Sequence, residues 1–553
     1  MIKSLTALFA LLLASIGAPA LADTLISNVN GVQVDANGKL ERFTGVLIGD
    51  DGKVKRLLHG EMLKLRDTNV VHAGGKTVLP GLIDAHGHVM GLGFTALQLD
   101  LTGTSSLADL QARLKAYAEA NPNGRWILGR GWNQEQWADK RFPTSADLDA
   151  VVSDRPVWLT RVDGHAAVAN SAAIQASGFT LNTQAPVGGR IENGLFVDAA
   201  MSLIESKIPA PTPPEQDAAL AKAQELMLAN GLTAAADMGT APDEWAAMDR
   251  AGSAGTLNVR ILSYAGGIPS MRLINGGKPS DWLYGDRLHL GGVKLYADGA
   301  LGSRGAWLKR PYHDKPDTRG LQFLTDAQIL EQANAAASAG YQLAIHAIGD
   351  AANAQVISTF EKLGEKYPGD RRWRIEHFQI ADPIDIPRLK TAGIIASMQP
   401  THQTSDRLMA EARLGPARLK GAYAWQTVER LGIPIAFGSD FPVESPNPFP
   451  GLAAAVSRQD MNGQPPGGWL PEERVSFEQA LGGFTRGAAY AGFAEGKIGS
   501  LEPGKWADFI LIDRDVSKVD PHALARTQVL QTWVAGKKIW EKAPSAAPAE
   551  RGR

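Results

Sequence analysis

Residues 77–88 are Thr77-Val-Leu-Pro-Gly-Leu-Ile-Asp-Ala-His-Gly-His88, an apolar run that ends in two histidines. It is the first of eight short apolar runs that alternate with helix-like stretches. Such runs indicate strands of a parallel sheet that is covered on both faces, and eight of them are the number in a closed barrel. We therefore predict an α/β protein with a (β/α)8 TIM-like barrel. The other runs lie at 232–238, 259–265, 292–296, 342–345, 372–375, 393–398 and 433–437.

The spacing of these runs departs from a regular barrel at one place. The first gap, from His86 to Met238, is far longer than the about 30 residues of an average barrel unit. We therefore expect a barrel at 79–489 with an insertion at about 90–215 that covers the active site. Short strand patterns at both ends of the chain, 23–78 and 490–545, predict one split β-sandwich satellite domain, because the termini of a domain often lie close together.

The first residues have the pattern of a secretory signal peptide. Lys3 precedes a mostly apolar run at 5–16, which is too short to span a bilayer of about 30 Å. Ala20-Leu-Ala22 then has the small residues of a cleavage site, although a buried N-terminal helix is the alternative. No later stretch predicts a membrane span. We expect a signal peptide at 1–22 and an exported, periplasmic protein.

Composition excludes several classes of function. Of 553 residues none is cysteine, which excludes disulfides, thiolate metal ligands and cysteine nucleophiles. Lys plus Arg is 56 and Asp plus Glu is 58, which gives a net charge of −2. This balance does not indicate a protein that binds nucleic acid or an anionic membrane. We expect a small molecule as the partner. A homodimer is one possible oligomeric state, because dimers are the commonest soluble oligomers.

Candidate metal ligands stand at the carboxyl ends of the predicted strands, where barrel enzymes keep their active sites. Taken singly, each is more often a satisfied polar group. Together they predict a metal centre, because buried charges are costly unless they are paired or bound to a metal. Imidazole and carboxylate without thiolate suit Zn²⁺, with Mn²⁺, Fe²⁺ or Ni²⁺ as alternatives. The candidates are His86, His88, Lys294, His346, His377 and Asp440.

Two longer motifs resemble those of the amidohydrolase superfamily of metal-dependent hydrolases. They are Leu79-Pro-Gly-Leu-Ile-Asp-Ala-His-Gly-His88 and Lys497-Ile-Gly-Ser-Leu-Glu-Pro-Gly-Lys-Trp-Ala-Asp-Phe-Ile-Leu511. Within the superfamily the chain is similar to the branch of N-substituted formamide deformylases and exoenzyme regulators. The resemblance spans residues 24 to 540, and its motifs are specific to the superfamily rather than to a substrate. The motifs typical of the branch are Gly131-Trp-Asn-Gln134, Asp163-Gly-His165, Gly299-Ala-Leu-Gly-Ser-Arg304 and Gln399-Pro400.

The resemblance implies two divalent metals, most simply two Zn²⁺, and a role for each ligand. His86, His88 and Asp440 would hold the more buried metal, and His346 and His377 would hold the second.

Lys294 matches a lysine that CO₂ carboxylates in many members of the superfamily, so that it bridges the two metals. Carboxylation needs a neutral amine, and burial near cations lowers the pKa of a lysine. An unmodified lysine beside a single metal is the alternative.

The implied reaction is hydrolysis by a metal-bridging hydroxide. Asp440 would act as general base and then as general acid toward the leaving nitrogen. His165 and Arg304 are candidate donors to the oxyanion, although a solvated loop residue is the alternative for each. Tryptophans more often fill a core than a pocket. The alternative for Asp298 is a turn, and the alternative for His402 is a solvated position on the surface. The expected substrate-binding residues are Trp132, Gln134, His165, Asp298, Gln399 and His402.

The sequence therefore favours an exported hydrolase of C–N bonds in an amide, N-formyl compound or cyclic amide. A lactonase or esterase on the same metals is one alternative. A non-catalytic regulatory or binding protein that retains the fold is another, although a binder needs no open metal position.

Overall fold

The computed structural model describes most of the chain. Most of the predicted signal peptide at 1–22 lies outside the described residues, and so does the candidate residue His165. Within the described part, no helix has both the length and the apolar character needed to cross a bilayer. The described residues are 22–60, 68–162, 164, 166–180, 183–186 and 189–544.

The first elements along the chain are strands, and shorter strands and helices follow them. The strands before residue 88 are β1 (Asp23–Val34), β2 (Leu40–Ile48), β3 (Val54–Leu58), β4 (Thr68–His72), β5 (Thr77–Pro80) and β6 (Leu82–Gly87). The next elements are α1 (Val89–Leu97), β7 (Leu99–Asp100), α2 (Leu107–Ala120), β8 (Ile127–Trp132), α3 (Ser145–Asp149), β9 (Val157–Arg161), β10 (Ala166–Ala169), α4 (Ser171–Ala176), β11 (Gly189–Glu192), β12 (Leu195–Asp198) and α5 (Met201–Glu205).

Helices and strands then alternate up to residue 437, and the chain ends in strands. The alternating part and the helices after it are α6 (Pro213–Ala229), β13 (Leu232–Thr240), α7 (Pro242–Ser253), β14 (Arg260–Gly266), α8 (Gly267–Leu273), β15 (Leu288–Tyr296), α9 (Asp326–Ser338), β16 (Gln342–Ala347), α10 (Asp350–Lys366), β17 (Arg374–His377), α11 (Ile386–Thr391), β18 (Ile395–Met398), α12 (Pro400–Leu414), α13 (Trp425–Arg430), β19 (Ile435–Phe437), α14 (Pro448–Ser457), α15 (Phe477–Gly482) and α16 (Ala488–Ala491). The last elements are β20 (Phe509–Ile512), α17 (Pro521–Ala525), β21 (Val529–Val534) and β22 (Lys537–Glu541).

The central sheet is a nearly closed barrel of parallel strands. In the described part of the chain its order is β6-β13-β14-β15-β16-β17-β18-β19. Each of these strands overlaps one of the eight predicted runs, so the prediction of a (β/α)8 barrel is confirmed. The strand β13 is buried almost throughout, as expected for a parallel sheet whose faces are both covered.

Hydrogen bonds between the loop after β19 and the strand β6 join the two ends of this sheet. The backbone N–H of Asp440 donates to the carbonyl oxygen of His86 at 2.7 Å. The carboxylate of Asp84 accepts from the backbone N–H of Ser439 at 3.0 Å and from its Oγ–H at 2.7 Å. The buried Asp84 therefore fixes the loop that carries Asp440 against the strand that carries His86.

The Ser439→Ala substitution should lower the free energy of unfolding by about 1–3 kcal/mol. It removes one donor to a buried carboxylate and puts nothing polar in its place. Denaturant unfolding of the variant and the wild type measures the difference. The control is Ser338→Ala on the exposed side of α9, where a change within about 0.5 kcal/mol is expected. Equal stability of the two variants would contradict the assigned role of the Asp84 contact.

A second sheet joins strands from both ends of the chain into a β-rich satellite domain. Its order is β22-β21-β20-β5-β1-β2-β3, and β4 pairs with β1. The first predicted run divides between the two sheets, since β5 pairs with β20 while β6 enters the barrel. Gly81 lies at the division, where an added Cβ would come within 2.2 Å of Oγ1 of Thr233. Only glycine fits this close approach.

A third sheet lies between α1 and α6, in the range where an insertion is predicted. Its strands have the order β11-β12-β10-β9-β8-β7. Trp132 and Trp137 are buried in its own hydrophobic core together with Leu110 and Val157. The third sheet therefore has a hydrophobic core of its own, distinct from the core of the barrel.

Candidate metal centre

The candidate ligands come together at the carboxyl ends of the barrel strands. The ring centroid of His86 lies 4.6 Å from that of His377 and 5.6 Å from that of His88. The ring of His346 lies 4.5 Å from that of His377. These imidazoles come from three strands and one following residue, so the barrel itself determines their separation.

Asp440 lies against the first two histidines. Its Oδ1 is 3.1 Å from Nε2 of His88 and 3.5 Å from Nε2 of His86, and these atoms could hold one metal ion. Burial alone would raise the pKa of Asp440, but the hydrogen bond with His88 and the nearby imidazoles lower it to about 2. Burial lowers the pKa of His86 to about 4. At neutral pH the carboxylate is therefore ionised and His86 is neutral, which are the forms that bind metal.

A buried ion pair determines which nitrogen of His86 is free. Nδ1–H of His86 donates to Oε2 of Glu376 at 2.6 Å, which leaves the lone pair of Nε2 facing Asp440. Arg374 donates to both oxygens of Glu376, at 2.7 and 3.1 Å. Burial alone would raise the pKa of Glu376, but the charge of Arg374 holds it well below its usual range.

Glu376 and Arg374 are functional residues that the sequence argument missed. The sequence did contain a signal for them, since two charged residues at i and i+2 of a barrel strand point to the same face and can pair there. The argument applied to Lys294, that a charge is unexpected in a buried strand, holds for these residues as well.

A glutamine orients the ring of His377, and an aspartate lies near the ring of His346. Nδ1–H of His377 donates to Oε1 of Gln399 at 2.9 Å, which leaves Nε2 as the ligand atom. Nε2 of His346 lies 3.5 Å from Oδ1 of Asp298 and has no hydrogen-bond partner among the described residues. Burial and the charge of Lys294 lower the pKa of His346 to about 3, so this ring is neutral.

Two of the candidate ligands have a strained backbone. The φ angle is +74° at His377 and +61° at Asp440, in the left-handed region that residues with a Cβ rarely adopt. Such strain persists where the surrounding structure enforces it, and it concentrates at active sites. At these two positions the strained backbone coincides with a candidate metal ligand.

Lys294 lies within the cluster, almost fully buried. Its Nζ is 3.2 Å from Nε2 of His86 and 5.0 Å from the ring centroid of Tyr296. Burial lowers the pKa of Lys294 to about 8. A sizeable fraction of the amine is therefore neutral just above neutral pH.

Asp298 and Gln399 lie beside the ligand histidines. The carboxylate of Asp298 accepts backbone N–H groups from Trp307, Ile348 and Gly349 at 2.8–3.0 Å, and burial raises its pKa to about 7. These contacts fix the loop after β16, which follows His346. Gln399 contacts the ring of His377, and the substrate-binding roles expected for Asp298 and Gln399 stay predictions.

His402 faces the cluster from the first turn of α12. Its Nε2 lies 3.7 Å from Oδ2 of Asp440, and its ring lies 6.0 Å from that of His377. His377, His402 and Asp440 form a second group whose ligand atoms could hold a metal ion. The sequence predicted a substrate-binding role for His402.

Three other predicted site residues have partners away from the cluster. Nε1–H of Trp132 donates to the carbonyl oxygen of Leu159 at 2.8 Å, and Oε1 of Gln134 accepts from Arg161 at 2.9 Å. Arg304 pairs with Asp314 at 2.9 Å. Among the described residues, no partner of these three side chains belongs to the histidine cluster, and their functional roles stay predictions.

The donor set fits a divalent metal. Neutral imidazoles and an ionised carboxylate are ligands that Zn²⁺ and similar ions accept. Nε2 of His346 and Nε2 of His402 are buried and have no hydrogen-bond partner within the described structure. Buried polar atoms are almost always satisfied, so these two nitrogens indicate a bound group, either a metal ion or a substrate atom.

Comparisons with known proteins extend over most of the chain. The model of a family described as "Amidohydrolase family" matches residues 69–539. Protein LONG AFTER FAR-RED 3 of Arabidopsis thaliana is 35% identical over 506 residues, which cover 86% of this chain and 84% of that protein. N-substituted formamide deformylase of Arthrobacter pascens is 27% identical over 555 residues, with 95% and 99% covered. An uncharacterized metal-dependent hydrolase of Pyrococcus horikoshii OT3 has a similar crystal structure, with a TM-score of 0.78, 28% identity, and 90% and 99% covered.

Proposed function

Because the chain belongs to the amidohydrolase family, we propose that it hydrolyses a C–N bond in a small amide, N-formyl compound or cyclic amide, as an exported enzyme. The observation that carries the proposal is the cluster of imidazoles around the ionised carboxylate of Asp440. The relative from Arthrobacter pascens is named a deformylase of N-substituted formamides, which supports the N-formyl class. The N-terminal sequence pattern supports export.

Two divalent metals, most simply Zn²⁺, would supply a Lewis acid and a water molecule of lowered pKa. Carboxylation of Lys294 suits this site, because it replaces a cation beside His86 by an anion that can bind metal. The neutral amine attacks CO₂, the new N–C bond forms, and one proton leaves the nitrogen for solvent. The proposed ligands are His86, His88, Lys294, His346, His377 and Asp440.

Asp440 is the proposed proton carrier. It is ionised, its Oδ1 contacts His88, and its Oδ2 lies 3.7 Å from His402 at the open end of the barrel. A carboxylate in that position accepts a proton from the attacking water and returns it to the leaving nitrogen. The amide N–C bond breaks as the nitrogen is protonated, and the products are a carboxylic acid and an amine.

Metal removal tests the proposed function. We expect turnover on a panel of N-formyl amines, amides and cyclic amides to fall by about 10³-fold after a chelator, because a metal contributes several kcal/mol to the barrier. Re-addition of Zn²⁺ should restore turnover, and metal analysis should find bound ions in the untreated protein. Lactones and esters in the same panel test C–O against C–N preference. Turnover that resists the chelator, or faster turnover of lactones and esters, would contradict the proposal.

A further inference from the structure

His402 differs from the other histidines of the cluster in the hydrogen bonds of its ring. The ring is nine-tenths buried, and its Nε2 has no hydrogen-bond partner within the described structure. That nitrogen faces Oδ2 of Asp440 across 3.7 Å, too far for a direct hydrogen bond. The atom is therefore available to a ligand of the site.

A chain of hydrogen bonds behind His402 determines where its ring proton lies. The hydroxyl of Tyr423 donates to Oδ2 of Asp406 at 2.8 Å, and Nε2 of Gln379 donates to the same oxygen at 3.2 Å. A carboxylate only accepts hydrogen bonds, so Gln379 has to turn its amide nitrogen toward Asp406.

The same amide nitrogen of Gln379 lies 3.2 Å from Nδ1 of His402. Nδ1 has to accept from that NH₂ group. A ring nitrogen that accepts a hydrogen bond carries no proton, so the proton of this ring is on Nε2, which points into the site.

His377 provides the opposite case within the same cluster. Gln399 presents its oxygen to His377, so Nδ1 of that ring carries the proton and Nε2 keeps a lone pair. Two glutamines thus hold two neighbouring rings in opposite tautomers. A ring with a lone pair is a metal ligand, whereas a ring with an N–H is a hydrogen-bond donor.

We propose that His402 donates a hydrogen bond from Nε2–H to the carbonyl oxygen of the substrate, and that it is not a metal ligand. Negative charge develops on that oxygen as water attacks, and a fixed N–H in a buried site stabilises it without transferring a proton. Gln379 and Asp406 are positioning residues that keep the proton on Nε2. The inference rests on the proposed function, because it assumes a substrate with a polarisable carbonyl group.

Substitution of His402 separates a donor from a ligand. We expect His402→Ala to lower kcat by about 10²- to 10³-fold, with a smaller change in KM and with the metal content of the wild type. His402→Gln offers an amide N–H and should recover part of kcat. His346→Ala, at a proposed ligand, should lose bound metal. The control is His522→Ala, because His522 is exposed on α17. Loss of a metal equivalent in His402→Ala would overturn the proposal, and so would an unchanged kcat.

The tautomer can be read directly, whether or not a substrate has been found. Protein labelled with ¹⁵N-histidine should give a neutral Nε2–H signature that disappears in His402→Ala. We expect Asp406→Asn to shift this ring toward the Nδ1–H form, because an asparagine NH₂ can turn Gln379 around. A wild-type ring with its proton on Nδ1 would overturn the donor role. An Nε2–H ring in a protein that turns over no amide would contradict the proposed function, and it would leave the tautomer assignment standing.

Discussion

Replacement of Asp440 by asparagine should lower kcat by about 10³- to 10⁴-fold, the contribution expected of a residue that transfers protons. Asparagine keeps the size of the side chain and one oxygen that can bind metal. It has no basic oxygen that can take a proton from water. The substitution therefore separates proton transfer from metal binding, and the measurement is kcat together with the metal content of each preparation.

Asp154→Asn is the matched control for this experiment, because the side chain of Asp154 is 75% exposed. It should leave kcat, metal content and stability unchanged. Two results would contradict the assigned role of Asp440. One is a variant that keeps more than about a tenth of the wild-type kcat. The other is a loss of activity that added metal restores in full, because that loss would come from metal binding alone.

The barrel could be predicted because its strands are buried on both faces. Residues 232–238 and 259–265 are mostly apolar and are buried throughout, and they overlap β13 and β14. For the same reason, the sequence did not show that the first run divides at Gly81 between the satellite sheet and the barrel. A strand in the satellite sheet and a strand in the barrel are both buried, so apolar character does not separate them.

The cluster of ligand histidines could be foreseen from position, because residues at the carboxyl ends of neighbouring parallel strands meet at one edge. The residues that form hydrogen bonds with these histidines could not be predicted in the same way. Gln379 and Asp406 are separated by α11, β18 and the first turns of α12, and only the folded chain brings them together behind His402. Arg304 and Trp132 were chosen from motifs outside the predicted barrel strands, where the sequence gives no strand register that indicates the direction of a side chain.

The largest effect on stability is expected at Arg374. This side chain is fully buried, and besides Glu376 it donates to the carbonyl oxygen of Ala85 at 2.6 Å and to Oγ of Ser397 at 2.8 Å. Arg374→Met should lower the free energy of unfolding by about 3–5 kcal/mol, because it leaves the carboxylate of Glu376 buried without a counter-charge. Denaturant unfolding at neutral pH measures this change.

A second substitution shows what the ion pair does for the metal centre. Adding Glu376→Leu to Arg374→Met removes the unpaired charge and should recover most of the lost stability, since apolar replacements of buried ion pairs are often neutral. The double variant still lacks the acceptor for Nδ1–H of His86. We expect its metal affinity to fall by about 10- to 100-fold while its fold is retained. A double variant with wild-type metal affinity would contradict the orienting role of Glu376.

The chain contains its own control for burial, because the tripeptide Arg-Ile-Glu occurs in two strands. Arg190 and Glu192 of β11 pair at 3.2 Å with side chains 56% and 60% exposed, whereas Arg374 and Glu376 of β17 are fully buried. Arg190→Met should cost no more than about 1 kcal/mol, the range measured for exposed pairs. Since residue types and spacing are the same, the difference in cost between the two arginine variants comes from burial and from the additional partners of Arg374. Equal costs would mean that the buried carboxylate of Glu376 is stabilised by something other than Arg374.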